Sequence, residues 1–265
     1  MKVKILVGVF LLVFGLALNL MGQAGSWKQV GKAGDWVNTI AGTVLNGRIY
    51  TVEASGNLYA TDPGTGAWKQ IGKADFANTL FLFGVSGKLF SIEKSGSLYL
   101  INSMDGSWQQ VGKAGDWINT IAGAVLDNRL YTVEKSGALY ETNALSGQWR
   151  QVGKPEFANT VFLLAAAGQL FSIEKDGSLY GINPVNGSWG RVGQAGSWAH
   201  TIAAATDGNS LYTVEKSGAL YETDPSSGAW KQLGTPDFAN TLFMFSCRNR
   251  LFTIEKSGTL YQISL

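Results

Sequence analysis

The sequence WKQVG at Trp27–Gly31 returns as WKQIG at Trp68–Gly72 and as WKQLG at Trp230–Gly234. Across all copies, the intervals between tryptophans are 41, 40, 41, 40 and 41 residues, at Trp27, Trp68, Trp108, Trp149, Trp189 and Trp230. A fixed period of about 40 residues is typical of repeat architectures, and four strands per period are typical of propeller blades. The sequence therefore predicts a chain of repeated units, in which any function is expected to be repeated as well.

The first unit shows how each repeat divides into strands. Thr39–Val44 is predicted to be a strand, the pair Asn46-Gly47 is a tight-turn signal, and Arg48–Glu53 alternates as a second strand. Asn57–Thr61 and Trp68–Ile71 follow as third and fourth strands. Short strands separated by glycine-rich turns, without helical periodicity, predict an all-β fold.

The six tryptophan strands are offset against the six triplets of inner strands. Trp27–Val30 precedes every triplet, whereas the last triplet, Thr241–Ile263, has no tryptophan strand after it. Pairing of Trp27–Val30 with the last triplet closes the ring and removes the exposed edges between first and last units. We therefore predict a six-bladed β-propeller of four-stranded blades, with the N-terminal strand closing the last blade.

Alternate units differ in the aromatic residue that follows each tryptophan strand. In one set a tryptophan stands nine residues after the strand begins, and in the other a phenylalanine stands eight residues after it. The two sets are Trp36, Trp117 and Trp198, and Phe76, Phe157 and Phe238. The true repeat is therefore predicted to be a two-blade unit of about 81 residues, which implies pseudo-threefold symmetry.

The first 24 residues are predicted to be a signal peptide. Lys2 and Lys4 precede the apolar run Ile5–Leu18, and Gly22–Ala24 offers small residues for cleavage. The run is short for a membrane span, which needs about 20 apolar residues, although an uncleaved N-terminal anchor is the alternative. We assign residues 25–265 to the propeller, and we expect a secreted or periplasmic protein with no membrane span after cleavage.

Charge and composition argue against several classes of function. Without Lys2 and Lys4, the basic residues equal the 19 acidic residues, which argues against a nucleic-acid partner and against adsorption to anionic lipid. His200 and Cys247 are the single histidine and cysteine, so no metal-ligand cluster or catalytic triad repeats. We expect a monomer that is not an enzyme and has no metal or cofactor, with Cys247 buried.

Strand parity places two kinds of connection on one face, which we call the upper face. The loop entering each blade and the turn between its second and third strands both lie there, because successive strands run antiparallel. Three polar positions recur on this face: an acid before the aromatic residue, an asparagine after it, and a glutamate ending the second strand. They are Asp35, Asn38 and Glu53; Asp116, Asn119 and Glu134; and Ser197, His200 and Glu215, where serine replaces the acid and histidine the asparagine.

Two interpretations remain open for this face. The rings of Trp36, Trp117 and Trp198 would stack on a sugar while the neighbouring polar groups bind its hydroxyls. Alternatively, the rings plug the gaps between blades, and the polar residues close turns. The six tryptophans of the repeated cassette are expected to pack between blades. The candidate carbohydrate-binding residues are Asp35, Trp36, Asn38, Glu53, Asp116, Trp117, Asn119, Glu134, Trp198, His200 and Glu215.

The repeat resembles those of tectonin-type and tachylectin-type β-propeller lectins. The residues that carry the resemblance are Trp108, Val111, Gly112, Gly115, Trp117, Leu130, Tyr131, Val133, Gly137, Leu139 and Tyr140. It implies several equivalent carbohydrate sites on blade loops, with Gly34–Trp36 and Gly115–Trp117 as the best candidates. On this basis we expect a secreted, multivalent carbohydrate-binding propeller that recognises cell-surface or envelope glycans.

A second resemblance points to a different class of function. Leu58–Trp68, with the sequence LYATDPGTGAW, is similar to repeats of quinoprotein-type propellers and of scaffold propellers in outer-membrane assembly. It implies a non-catalytic protein-interaction scaffold of the cell envelope, with an envelope protein as partner. The exposure of Trp36, Trp117 and Trp198 distinguishes the lectin from the scaffold, because rings buried between blades cannot stack on a sugar.

Overall fold

The computed structural model describes residues 22–265, which form a ring of six four-stranded antiparallel sheets. The predicted six-bladed all-β propeller is therefore confirmed. The apolar run Ile5–Leu18, and with it most of the predicted signal peptide, lies outside the described residues. Within residues 22–265 there is no helix of the length and hydropathy that a membrane crossing requires.

The blades are numbered in chain order, and each begins with its innermost strand. Blade 1 contains β2 (Thr39–Leu45), β3 (Arg48–Glu53), β4 (Leu58–Thr61) and β5 (Trp68–Ile71). Blade 2 contains β6 (Thr79–Val85), β7 (Lys88–Glu93), β8 (Leu98–Ile101) and β9 (Trp108–Val111). Blade 3 contains β10 (Thr120–Leu126), β11 (Arg129–Glu134), β12 (Leu139–Thr142) and β13 (Trp149–Val152). Blade 4 contains β14 (Thr160–Ala166), β15 (Gln169–Glu174), β16 (Leu179–Ile182) and β17 (Trp189–Val192). Blade 5 contains β18 (Thr201–Thr206), β19 (Leu211–Glu215), β20 (Leu220–Thr223) and β21 (Trp230–Leu233). Blade 6 contains β22 (Thr241–Cys247), β23 (Arg250–Glu255), β24 (Leu260–Ser264) and, as its outer strand, β1 (Trp27–Val30).

The N-terminal strand closes the ring as predicted. β1 pairs antiparallel with β24, with Trp27 opposite Ile263 and Val30 opposite Leu260. The hydrogen bond from the Gly25 N–H to the Ser264 carbonyl, at 2.8 Å, extends the pairing by one step. The sixth blade is therefore assembled from both ends of the described chain.

The inner hairpins follow the turn chemistry of the sequence. Asn46 and Gly47 have φ values of 50° and 70°. Two successive left-handed residues are what a two-residue hairpin turn with the right twist requires, and asparagine and glycine adopt that conformation most readily. The first hairpin is thus set by a local signal.

Two kinds of interface alternate around the ring. At the interfaces entering odd blades, which we call Trp interfaces, Trp36 packs with Leu260 and Phe252 of blade 6 and with Ile49 of blade 1. Trp117 and Trp198 occupy the equivalent places. At the interfaces entering even blades, the Phe interfaces, Phe76, Phe157 and Phe238 fill the same position. The predicted two-blade repeat therefore corresponds to the alternation of Trp interfaces and Phe interfaces around the ring.

At each Trp interface, a bulky residue of the even inner strand meets a small residue of the odd one. A Cβ placed on Gly42 would lie 2.6 Å from Cζ of Phe245, and one on Gly123 would lie 2.7 Å from Cζ of Phe83. In the third copy the matching residues are Leu164 and Ala204, and they lie in the same core cluster. In the third copy, leucine thus replaces the larger phenylalanine, and alanine replaces the smaller glycine.

Cys247 lies in the cluster at the interface of blades 6 and 1, with 3% of its surface exposed, and forms no disulfide. Burial raises the pKa of its thiol. The prediction of a buried structural cysteine is confirmed.

Candidate functional site

Two backbone hydrogen bonds recur on the upper face, one within each blade and one between neighbouring blades. In blade 1 the Ala54 N–H donates to the Asn38 carbonyl at 2.9 Å, and the Gly56 carbonyl accepts from the Phe76 N–H of blade 2 at 3.0 Å. The same two bonds recur in all six blades. This confirms that the entering loops and the second turns share one face. The carbonyl groups of Asn38, Asn119 and His200 take part in these bonds, and the three residues are exposed.

Trp36, Trp117 and Trp198 are buried, with 3%, 3% and 5% of their surfaces exposed. The ring of Trp36 covers Gly31, where an added Cβ would lie 2.7 Å from the indole Cη2. No ring face is left for a sugar, so the predicted stacking role does not hold for these three residues. They are the plug between blades that the alternative interpretation described.

The tryptophans of the repeated cassette are the exposed set. Trp27, Trp68, Trp108, Trp149, Trp189 and Trp230 each leave between 45% and 54% of their surface in solvent. Each ring meets the edge of a tyrosine on the neighbouring strand, with centroids 4.7–5.0 Å apart. The expectation that this set packs between blades is wrong, because the outer strand lies at the rim of the ring and half of each indole is free.

The recurring acid accepts a hydrogen bond from the exposed indole of the same blade. The N–H of Trp68 donates to Asp35 at 3.0 Å, and that of Trp149 donates to Asp116 at 3.0 Å. The equivalent pairs are Trp108 with Asp75 at 3.3 Å, Trp189 with Glu156 at 2.8 Å, and Trp27 with Asp237 at 2.9 Å. Each bond ties the entering loop to the outer strand. In blade 5 Ser197 replaces the acid, and Trp230 is the most exposed of the six at 54%.

The recurring glutamates take two arrangements. In the even blades Glu93, Glu174 and Glu255 are buried, and Oε1 of each accepts a hydrogen bond from a threonine hydroxyl at 2.7–2.8 Å. Burial raises the pKa of all three, and the hydroxyl hydrogen bonds lower it in part. These carboxylates are therefore held in place at a desolvation cost.

The odd blades lack this arrangement. Glu53, Glu134 and Glu215 are partly exposed, and the matching hydroxyls of Thr39, Thr120 and Thr201 are buried without a hydrogen-bond partner. Burial raises the pKa of Glu53 and Glu134. The turn itself is closed by backbone, through the Gly56 N–H and the Glu53 carbonyl at 2.8 Å, not by the glutamate side chain as the turn-closing interpretation supposed.

Grooves lie beside the exposed indoles of blades 2 and 4. The blade 2 groove has a volume of about 170 Å³ and is lined by Asp75, Phe76, Asn78, Glu93, Ser95, Tyr99 and Trp108. The blade 4 groove has a volume of about 510 Å³ and is lined by Glu156, Phe157, Asn159, Glu174, Lys175, Asp176, Tyr180 and Trp189. Both belong to the phenylalanine-bearing blades, whereas the sequence pointed first to the tryptophan-bearing loops. The signal for these grooves was present in the sequence, as the recurring acid and cassette tryptophan of each blade.

A second feature of the upper face is a set of exposed apolar side chains, which we call the apolar collar: Val37, Leu80, Ile118, Val161 and Leu242, each between 42% and 54% exposed. Leu80, Val161 and Leu242 are second residues of innermost strands. Leu242 also lines a central cavity of about 350 Å³ between the inner strands. By contrast, the inner hairpins on the opposite face expose no large apolar side chain within residues 22–265.

The described residues contain no group of three or more His, Cys, Asp or Glu side chains that would hold a metal ion.

Comparison with solved structures shows the same fold in proteins of low sequence identity. Virginiamycin B lyase from Staphylococcus aureus is 12% identical, with a TM-score of 0.62, over 91% of this chain and 100% of that one. BamB from Moraxella catarrhalis is 14% identical, with a TM-score of 0.53, over 86% of this chain and 85% of that one. A structure described as YCF48 bound to D1 peptide is 15% identical, with a TM-score of 0.58, over 86% and 77%.

Comparison with curated proteins found no match. A protein-family model described as "Outer membrane protein assembly factor BamB" matches residues 22–232. This match agrees with the second resemblance seen in the sequence, and the lectin resemblance finds no counterpart in it. Since the match covers most of the chain, the protein belongs to the family of the outer membrane protein assembly factor BamB.

Proposed function

We propose that this protein is a non-catalytic scaffold of the cell envelope that binds a partner protein through its upper face. The observation that carries the proposal is the exposed apolar collar of the upper face, of which Leu242 lines the central cavity. Contiguous exposed apolar side chains on a soluble domain mark surfaces that contact other proteins. Within residues 22–265 the opposite face exposes Met104, Leu145 and Val185 on its outer turns, but its inner hairpins expose no large apolar side chain, so the collar distinguishes the inner part of the upper face.

The comparisons support this proposal. The family is named after an outer membrane assembly factor, which favours a periplasmic location and an envelope protein as partner. The structure described as YCF48 bound to D1 peptide is a propeller of the same fold that holds a peptide. We further propose that the protein acts as a monomer, in keeping with a closed ring that leaves no unpaired blade.

The test compares two triple variants in a pull-down. Leu80→Asp, Val161→Asp and Leu242→Asp together place charge in the collar. Met104→Asp, Leu145→Asp and Val185→Asp change three apolar residues that are more exposed than the collar, on turns between third and fourth strands at the opposite face, and serve as the control. We expect protein captured from an envelope extract by the wild type to be lost with the first variant and kept with the second.

Binding of the captured protein is then measured with purified components. Equal affinity of wild type and collar variant, with both folded by circular dichroism, would contradict the proposed surface. Loss of binding in the control variant alone would place the surface on the outer turns instead.

Carbohydrate binding is the second candidate, and one observation favours it. The exposed indoles of Trp108 and Trp189 stand beside grooves that also offer amide and phenolic groups, at Asn78 and Tyr99 in blade 2. Such a combination suits a sugar ring. A glycan array with the wild type and Trp108→Ala tests it: glycan binding that needs Trp108 would favour this candidate, and an array without any signal would dismiss it.

A further inference from the structure

Within residues 22–265, the carboxylates of the upper face form no ion pair. The three ion pairs among the described residues are Arg129–Glu141, Arg150–Glu141 and Lys231–Glu222, on the sheets away from this face. The recurring acids and glutamates form none of them. Five blades therefore present two carboxylates each, and their charges are balanced only by hydrogen-bond donors and by lysines at a distance.

The groove of blade 2 combines these carboxylates with an aromatic wall. Asp75 accepts the indole N–H of Trp108 through Oδ2, and Glu93 accepts two hydroxyl hydrogen bonds through Oε1. One oxygen of each carboxylate thus stays free of these bonds. A hydrogen bond from an indole N–H to a carboxylate makes the ring more electron-rich, which strengthens its attraction for a cation placed over its face.

The groove of blade 4 repeats the arrangement with one more acid. Glu156 accepts the N–H of Trp189 at 2.8 Å, Glu174 is buried, and Asp176 stands where blade 2 has Ser95. Lys175 also lines this groove, and like Lys94 in blade 2 it is exposed and forms no ion pair with the acids. The positive charge of each lysine lowers the pKa of the glutamate before it only in part.

We propose that the grooves of blades 2 and 4 each bind an arginine or lysine side chain of the partner protein. The cation lies over the exposed face of Trp108 or Trp189 and donates hydrogen bonds to the free carboxylate oxygens. Arginine fits best, because its planar fork stacks on an indole and binds a carboxylate at the same time. This inference rests on the proposed function and adds the chemistry of the partner segment.

The chain supplies its own matched control in blade 5. Trp230 is exposed like Trp108 and Trp189 and meets Tyr221 in the same way, but Ser197 stands in place of the acid. Removal of Trp230 therefore takes away an equivalent ring without disturbing an acid–indole pair. A cation site needs the acid, so blade 5 should not contribute.

The experiment titrates the folded protein with a capped hexapeptide that contains two arginines, and with the same peptide carrying citrulline, its neutral analogue. Calorimetry is used for affinity, and tryptophan fluorescence reports on the rings. We expect the arginine peptide to bind about tenfold more tightly than the citrulline peptide, with the difference reduced at high salt. Trp108→Ala with Trp189→Ala should weaken the arginine peptide by about tenfold, whereas Trp230→Ala should leave its affinity unchanged.

Three results would overturn the inference: equal affinity for both peptides, an equal loss in Trp230→Ala, or binding of a neutral oligosaccharide to these grooves without binding of the arginine peptide. The collar variant separates this inference from the proposed function. If it loses the partner but keeps the arginine peptide, the two surfaces act separately. If Trp108→Ala with Trp189→Ala keeps full affinity for both peptide and partner, the groove inference fails while the scaffold proposal stands.

Discussion

The Trp interfaces and the Phe interfaces solve the same packing problem with different partners. At the Trp interface of blades 6 and 1, Phe245 fills the space above Gly42, and an indole closes the gap further out. At the Phe interface of blades 1 and 2, the inner strands approach closely, because a Cβ on Gly84 would lie 2.6 Å from the Val44 carbonyl oxygen. Close inner strands thus go with a phenyl ring, and more widely spaced inner strands go with an indole. The Trp198 interface keeps its indole although Leu164 and Ala204 replace the phenylalanine and glycine of the other two copies.

The largest expected effect is removal of a plug. Trp117→Ala leaves a cavity at a Trp interface and should lower the free energy of unfolding by about 3–5 kcal/mol. Trp149→Ala, which removes a half-exposed ring at the rim, should cost clearly less. Urea unfolding followed by circular dichroism measures both. A larger loss in Trp149→Ala would reverse the roles that the structure assigns to the two tryptophan sets.

The next effect tests the match between bulky and small residues. Gly42→Ala should destabilise the protein by about 1–3 kcal/mol, because the new methyl group collides with Phe245. Adding Phe245→Leu should recover part of that loss, since the pair then matches Leu164 and Ala204 of the third copy. A double-mutant cycle in urea measures the coupling. Strict additivity of the two changes would show that the residues do not pack as a pair.

A smaller effect separates the two arrangements of glutamate and threonine. Thr79→Val removes a hydroxyl that donates to the buried Glu93, and should cost about 1–3 kcal/mol because a charged acceptor loses a donor. Thr39→Val removes a buried hydroxyl that has no partner, and should be neutral or stabilising. Thermal unfolding of the two variants is the measurement. Equal losses would mean that the odd blades make the same hydrogen bond in solution.

The smallest effect is a dependence of stability on pH. Burial raises the pKa of Glu93, Glu174 and Glu255 above the ordinary 4.5, so the folded state binds these protons more tightly than the unfolded state does. Their contribution to stability is full below pH 4.5 and is lost as the pH rises through the raised pKa values. The melting temperature should therefore gain from these groups as the pH falls from 7 towards 4.5.

A triple variant isolates this contribution. Glu93→Gln, Glu174→Gln and Glu255→Gln together should flatten the pH dependence in that window, because glutamine does not titrate. The same change at Glu53, Glu134 and Glu215, which are more exposed, is the control and should alter the profile less. An unchanged profile in the first variant would show that the even glutamates do not titrate as their burial implies.

The ring, its closure by β1 and the two-blade repeat could all be predicted from the sequence, because spacing and turn residues are local signals. The exposure of the aromatic residues could not. Trp36 and Trp68 are the same residue type in glycine-rich surroundings, and only the path of the outer strand along the rim decides which ring is covered. The acid–indole pair of Asp35 and Trp68 spans 33 residues, so it becomes visible only once the blade is folded.

The grooves of the even blades were missed for a related reason. The sequence shows a glutamate in every blade, and the alternation of tryptophan and phenylalanine loops does not by itself reveal that Glu93 is buried whereas Glu53 is partly exposed. The two glutamates differ in whether a threonine hydroxyl lies within hydrogen-bond distance of the carboxylate. That distance depends on how the whole interface packs. The sequence pattern therefore placed the recurring polar residues on one face, but it led to the wrong expectation of which tryptophan rings are exposed.

The pairing of β1 with β24 has a consequence for the order of events during synthesis. Trp27–Val30 leaves the ribosome among the first of the described residues, but its partner Leu260–Ser264 is among the last. The first strand has an unsatisfied edge until the last blade is made, whereas each of blades 1 to 5 is complete as soon as its own fourth strand has been made. Contacts of such long sequence separation form slowly, and waiting edges are prone to pair with the wrong chain. Assembly of the ring is thus expected to depend on protection of this strand until the last one emerges.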